Sequence, residues 1–210
     1  MPSTVAEGRL ASLGTMTYRG IAIGLFVACT LTACLVPEKF VAKVEFHPDA
    51  SYDYQFDGTA SDPLALMELK QRGALSPHTE SALKNIGDRM PKERDVRSAR
   101  YLGNARYDLS IAGHRIPGED MHLIDILSVV RGNDGVITVS SPELKQKDRQ
   151  ELAKLGIKVD GTLEIKVPSG AQVISQNAQS TPSLFGMIGS YTWKIGTPEQ
   201  RPLLQFKIKG

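Results

Sequence analysis

From Gly20 to Ala33 the chain runs for fourteen residues without a charge (GIAIGLFVACTLTA), with Arg19 directly before it. A bilayer-spanning helix needs about 20 apolar residues, so this run is too short, and its length suits the apolar stretch of a secretory signal peptide. The competing reading is a buried core helix. Ile21, Ile23, Val27, Thr30 and Thr32 are β-branched, and Gly20 and Gly24 weaken a helix further, so the run is a poor candidate for one. Residues 1–33 are therefore expected to be removed, which leaves 177 of the 210 residues to fold. Residues 1–15 carry Glu7 and no apolar periodicity, and Met16-Thr17-Tyr18-Arg19 is the more natural start of such a signal.

The run ends in Leu31-Thr32-Ala33-Cys34. These four residues resemble a bacterial lipobox. The resemblance implies a diacylglycerol on the Cys34 thiol, cleavage before Cys34 and acylation of the new amino group. Two chains already hold a protein on a bilayer, at about 0.8 kcal/mol per buried methylene, and three make release negligible. Leu35, not Asp, follows the cysteine, which in Gram-negative sorting implies the outer membrane. Cys29 leaves with the signal and Cys34 carries lipid, so the mature chain holds no disulfide and its core must suffice. The expected organisation is a signal peptide over 1–33, a lipidated tether over 34–39 and one domain over 40–210.

In that domain Phe40, Ala42, Val44 and Phe46 alternate with Val41, Lys43 and Glu45, and the run Tyr52, Tyr54, Phe56 alternates again after His47-Pro48-Asp49-Ala50. Period two on both sides of a Pro-Asp turn predicts a β-hairpin. Asp62-Pro63 and Ser76-Pro77 each set a capping side chain before a proline at the first helical position, predicting helices over 63–73 and 77–90. Residues 96–112 and 121–131 read as strands joined by a turn at Ile116-Pro117-Gly118-Glu119, and 136–139 as another after Asn133-Asp134-Gly135. Ser140 with Glu143 reads as a capping box, with Pro142 opening a helix that Gly156 ends. Strands are expected over 157–167, 172–176, 191–195 and 203–208. Asp57-Gly58-Thr59 and Asp160-Gly161-Thr162 read as coincident turns. The sum is an α+β fold, a mainly antiparallel sheet with about three helices packed on it.

Asp160-Gly161-Thr162-Leu163-Glu164-Ile165, Val173, Asn177-Ala178 and Tyr191-Thr192-Trp193-Lys194 resemble the closing part of LppM-type envelope lipoproteins, over about 50 residues. That resemblance implies an envelope domain that binds lipid or glycolipid, while the helical region over 62–90 departs from a simple β architecture.

Motifs for catalysis are missing. There is no Gly-x-Ser-x-Gly, and Ser190 stands in a region without acids; no Gly-x-Gly-x-x-Gly or phosphate loop is present. His114 and His122 flank the Pro117-Gly118 turn and could face each other with Glu119 or Asp120, but two histidines without a spaced third ligand do not define a metal site. His47 and His78 read as turn and cap residues. Asp49, Asp53, Asp57 and Asp62 lie close in sequence, as paired carboxylates for sugar chemistry would, yet turn and cap roles account for most of them. No metal and no cofactor is expected.

Two surface features remain. Lys84, Arg89, Lys92, Arg94, Arg97, Arg100 and Arg106 face only Asp88, Glu93 and Asp95 over the same stretch, a basic patch suited to anionic headgroups or simply a solvated surface. With 25 basic and 23 acidic residues overall, the chain lacks the excess that nucleic acid binding needs. From Val167 to Trp193 there are 27 residues without Asp, Glu, Lys, Arg or His, and inside them Leu184, Phe185, Met187 and Ile188 sit between Pro182 and Gly189. Either this loop folds down to complete the core, or it offers a contact surface for a ligand or partner. The function expected is that of a membrane-anchored envelope lipoprotein, a non-catalytic lipid- or glycolipid-binding or structural module. The alternatives are an assembly or secretion component that binds another envelope protein, and a periplasmic hydrolase.

Overall fold

The computed structural model describes residues 35–124, 126–183, 189–197 and 200–208. Eleven strands and three α-helices form among them, the strands in two sheets. The first sheet has the order β10-β8-β1-β2-β4-β3 and the second β5-β6-β7-β11-β9. Their ranges are β1 (Val36–Phe46), β2 (Tyr52–Ser61), β3 (Val96–Gly103), β4 (Arg106–Arg115), β5 (Met121–Leu123), β6 (Leu127–Arg131), β7 (Ile137–Ser140), β8 (Asp160–Lys166), β9 (Gln172–Gln176), β10 (Tyr191–Ile195) and β11 (Leu203–Lys207). All pairings are antiparallel except β1 with β8. The α+β class stands, with two sheets where one was expected.

Alternation places Phe40, Ala42, Val44 and Phe46 of β1 in the core, and Tyr52, Tyr54 and Phe56 of β2 beside them, while Lys43, Glu45, Asp53 and Gln55 face solvent. The two sheets meet where Phe46 packs edge-on against Phe206 of β11, ring centroids 4.9 Å apart. Asn177 makes a second joint. Its Oδ1 accepts from the Trp193 indole of the first sheet (2.9 Å) and from the Leu203 amide of the second (2.8 Å).

Helices α1 (Pro63–Arg72) and α2 (Pro77–Arg89) begin where their capping residues predict. Asp62 accepts from the amides of Leu64 and Ala65, Ser76 from that of Thr79, and Gly73 closes α1 at φ 76°, a left-handed conformation that glycine adopts without strain. Helix α2 covers the inner face near β3 and β4, where the buried Tyr107 hydroxyl donates to the Leu83 carbonyl (3.0 Å). Helix α3 (Gln146–Leu155) lies against α1, tied by the Lys70 ammonium donating to the Lys154 carbonyl.

The structure departs from expectation at four places. The stretch 96–112 holds a hairpin, β3 turning into β4 through Gly103-Asn104-Ala105, all three with positive φ; Gly103-Asn104 is the turn signal that the reading as one strand passed over. A second hairpin, β5–β6, turns within 121–131. The box at Ser140 does not cap α3. The Ser141 amide donates to Pro202 and its hydroxyl to Ile126, which keeps the chain extended through Lys145, and the helix starts at Gln146. Finally, Gly58 and Gly161 are not turn residues. They sit inside β2 and β8, each directly opposite Phe40 on the strand between them.

Candidate functional site

Of the residues singled out in the sequence, Cys34 and the loop residues Leu184, Phe185, Met187 and Ile188 lie outside the described residues. The seven basic residues do not form one free surface. Arg94 pairs with Glu119, Arg100 with Asp108, and Arg106 holds Glu38 with two nitrogens (2.9 and 3.1 Å), while Lys84 and Arg89 lie on α2, Lys92 in the 3-10 turn after it and Arg97 on β3. Arg94 and Arg115 also bracket Asp95, whose carboxylate accepts from the Tyr54 hydroxyl (2.7 Å) and the Arg115 guanidinium (2.8 Å). Burial pushes the Asp95 carboxyl up, and the bonds from Tyr54 and Arg115 outweigh it, so its pKa falls below the usual value.

The acids near the first hairpin have separate local partners. Asp49 accepts from Ser51, Asp62 caps α1, Asp57 accepts from Gln55, and Asp53 lies between His47 and His114. His114 and His122 are not brought together. The Pro117-Gly118 turn crosses from β4 in the first sheet to β5 in the second, so it is no hairpin, and His114 meets His47 instead, ring centroids 6.3 Å apart.

The feature that sequence reasoning missed lies at the opposite end of β1. Leu35, assigned there to a tether, is buried, and Val36 already begins the strand. Leu35 and Phe40 form one wall of a cavity of about 180 Å³; Ile124, Ile126, Leu152 and Ile195 close the others. Two of its polar lining atoms are engaged by the protein: the Ser141 hydroxyl donates to Ile126 (2.6 Å), and Gln200 Oε1 accepts from the Gly196 and Thr197 amides. Val36, Leu144 and Leu152 also line a neighbouring open groove of about 710 Å³ between α1 and α3. On its rim Leu64 is 72% and Met67 40% exposed, unusual for large apolar side chains set side by side. The signal available in the sequence was Leu35-Val36-Pro37, apolar residues directly after Cys34.

The lining of this space suits alkyl groups. A cavity of about 150 Å³ lined by aliphatic and aromatic side chains stays dry and admits benzene, so the inner space holds about six carbons; the groove falls within the roughly 300–1,000 Å³ of ordinary ligand sites. Among the described residues no helix is long and apolar enough to cross a membrane.

Neither a protein-family model nor a curated protein matches the chain. Among solved structures its fold resembles, at 14% identity and a TM-score of 0.41, the folded domain of the LppM protein of Mycobacterium tuberculosis, over 82% of this chain and 91% of that one.

Proposed function

We propose that the chain is a non-catalytic lipoprotein module of a bacterial envelope, anchored through Cys34, that takes the alkyl chain of a membrane lipid into the cavity beside Leu35. The observation that carries this reading is the position of the cavity. A mostly aliphatic space, in which the Ser141 hydroxyl and Gln200 Oε1 already have protein partners, opens next to the residue that follows the candidate lipidation site. Each methylene moved from water into it contributes about 0.8 kcal/mol, and the groove between α1 and α3 gives the rest of the chain a path.

The test is to extract noncovalent lipid from the whole protein purified in detergent and identify it by mass spectrometry, for the wild type and for Val159→Trp. Val159 lines the cavity, and an indole there fills it. The variant should lose lipid about tenfold or more while keeping its melting temperature, a loss worth about 1.4 kcal/mol or more. A wild type that carries no lipid and takes up no fluorescent fatty acid refutes the proposal, as does a variant that carries as much lipid as the wild type. A partner captured by crosslinking in place of lipid favours the assembly reading.

A further inference from the structure

At the far end of β1, on the solvent face of the first sheet, three side chains converge that the proposed function does not use. His47 stands in the turn between β1 and β2, Asp53 on β2, and His114 on β4, where the register sets it directly across from Asp53. His47 Nε2 lies 2.7 Å from Asp53 Oδ2, and His114 Nδ1 lies 2.9 Å from Oδ1. One ligand atom from each of the three lies within 4.8 Å of the others.

The backbone around these groups is held in place. The His47 carbonyl accepts from the Ala50 amide (3.0 Å) and its amide donates to Ser51 (2.9 Å). Asp49 accepts from both the amide and the hydroxyl of Ser51, which locks the turn. Asp53 and His114 sit in the interior of paired strands. The Asp53 and His114 side chains are exposed, and that of His47 is half-buried.

We propose that His47, Asp53 and His114 form a binding site for a transition-metal dication of the zinc class, completed by water. Two imidazole nitrogens and one carboxylate oxygen are a ligand set that zinc takes in sites that keep an open position. Tetrahedral zinc with ligands at about 2.0–2.1 Å sets its donors about 3.3 Å apart, so the three atoms must draw together by about 1.5 Å at most, a side-chain rotation at exposed positions. In the metal-free state each ring donates a hydrogen to Asp53. Zinc takes the ring nitrogen that faces Asp53, so a neutral ring carries its one hydrogen on the other nitrogen in the bound state, and binding weakens as the imidazoles protonate.

The site is independent of the lipid proposal, and its test reads different quantities. The whole protein in detergent, stripped with a chelator, is titrated with zinc chloride by calorimetry. The expected result is one zinc per chain and a melting temperature that rises with zinc. His114→Gln and Asp53→Asn should each weaken zinc at least about tenfold and remove the zinc-dependent rise, while His122→Gln leaves both unchanged. A wild type that shows no heat and no rise overturns the proposal outright. It is equally overturned if zinc binds His114→Gln and Asp53→Asn as it binds the wild type. A variant that fails to fold is identified by its circular dichroism without zinc, and the other variant then decides the location.

Discussion

Gly161 offers the sharpest test of how the cavity wall is built. A methyl added at Gly161 would stand closer than 3.0 Å to three carbons of the Phe40 ring, which no real Cβ tolerates. Phe40 is buried and stacked on Phe56, centroids 5.6 Å apart, so the ring can yield only toward the space it lines, the cavity of about 180 Å³. Overpacking of this kind costs about 1–3 kcal/mol, and replacing glycine recovers about 0.4–1 kcal/mol through the unfolded chain. Gly161→Ala should therefore destabilise by about 1–2 kcal/mol, and in urea unfolding the midpoint should fall by about 0.5–1 M with an unchanged slope. Because the displaced ring occupies the cavity, the variant should also carry less lipid. Gly58→Ala has no such outlet. Its methyl meets the Lys39 carbonyl oxygen as well as Phe40, so strand β1 itself must shift, and the cost should reach the upper end of the overpacking range or beyond, about 3 kcal/mol. Adding Phe40→Leu to Gly161→Ala should recover part of the loss, a coupling expected only of residues in contact. If Gly161→Ala is as stable as the wild type and keeps its lipid, or if Gly58→Ala is the milder change, the account of this wall is wrong.

Cys34→Ser should leave an unprocessed precursor that takes up no radiolabelled palmitate; palmitate incorporated at the wild-type level refutes lipidation at this residue. Asn177→Ala leaves the Trp193 indole and the Leu203 amide without their shared acceptor and should cost about 1–3 kcal/mol, with a change in fluorescence of the chain's one tryptophan that checks where the loss falls. Asp95→Asn keeps a residue suited to the φ of 70° there while removing the charge that Arg115 faces, and should cost about 1–3 kcal/mol at pH 7. Because the folded pKa of Asp95 is lowered, its contribution is complete above the unfolded value near 3.8 and disappears as pH falls through the folded value. The gap between variant and wild type, followed by urea unfolding, should thus be widest at neutral pH and close below about pH 4.

Local signals in this chain were legible wherever one segment decides its own conformation. The hairpin of β1 and β2 follows from period two, and α1 and α2 begin at Pro63 and Pro77 behind side chains that do cap them. The sequence misled where a distant segment decides. Ser140 with Glu143 carries a helix-start signal, but Ser140 is held at the end of β7 between Ser128 and Leu203, Pro202 and Ile126 claim the amide and hydroxyl of Ser141 beside it, and the box never forms. Gly58 and Gly161 look like turn glycines until Phe40 is placed between them, a fact that needs the parallel pairing of β1 with β8, remote in sequence. The same holds for His47, whose partners Asp53 and His114 come together only through the β2–β4 register. The Asn177–Trp193 pair, by contrast, was visible as a pattern before its chemistry was.

Strand β1 links the two proposed sites and also separates them. Its eleven residues run from Val36, at the cavity, to Phe46, beside the metal ligand His47, and at about 3.3 Å per residue that is about 35 Å of straight strand. An anchor on Cys34 would hold the cavity end against the bilayer, where an alkyl chain can pass from membrane to protein without crossing water. The histidines would then stand at the end away from the lipid, in the aqueous compartment that supplies metal ions. The core face of the strand between them is apolar and packed: Phe40, Ala42, Val44 and Phe46 are all buried along the way. Zinc at His47 should therefore leave the lipid content unchanged, and Val159→Trp should leave the zinc titration unchanged, since coupling requires an element with two arrangements that both sites bias. A change in either measurement on loading the other site would show that β1 moves as a unit between two positions.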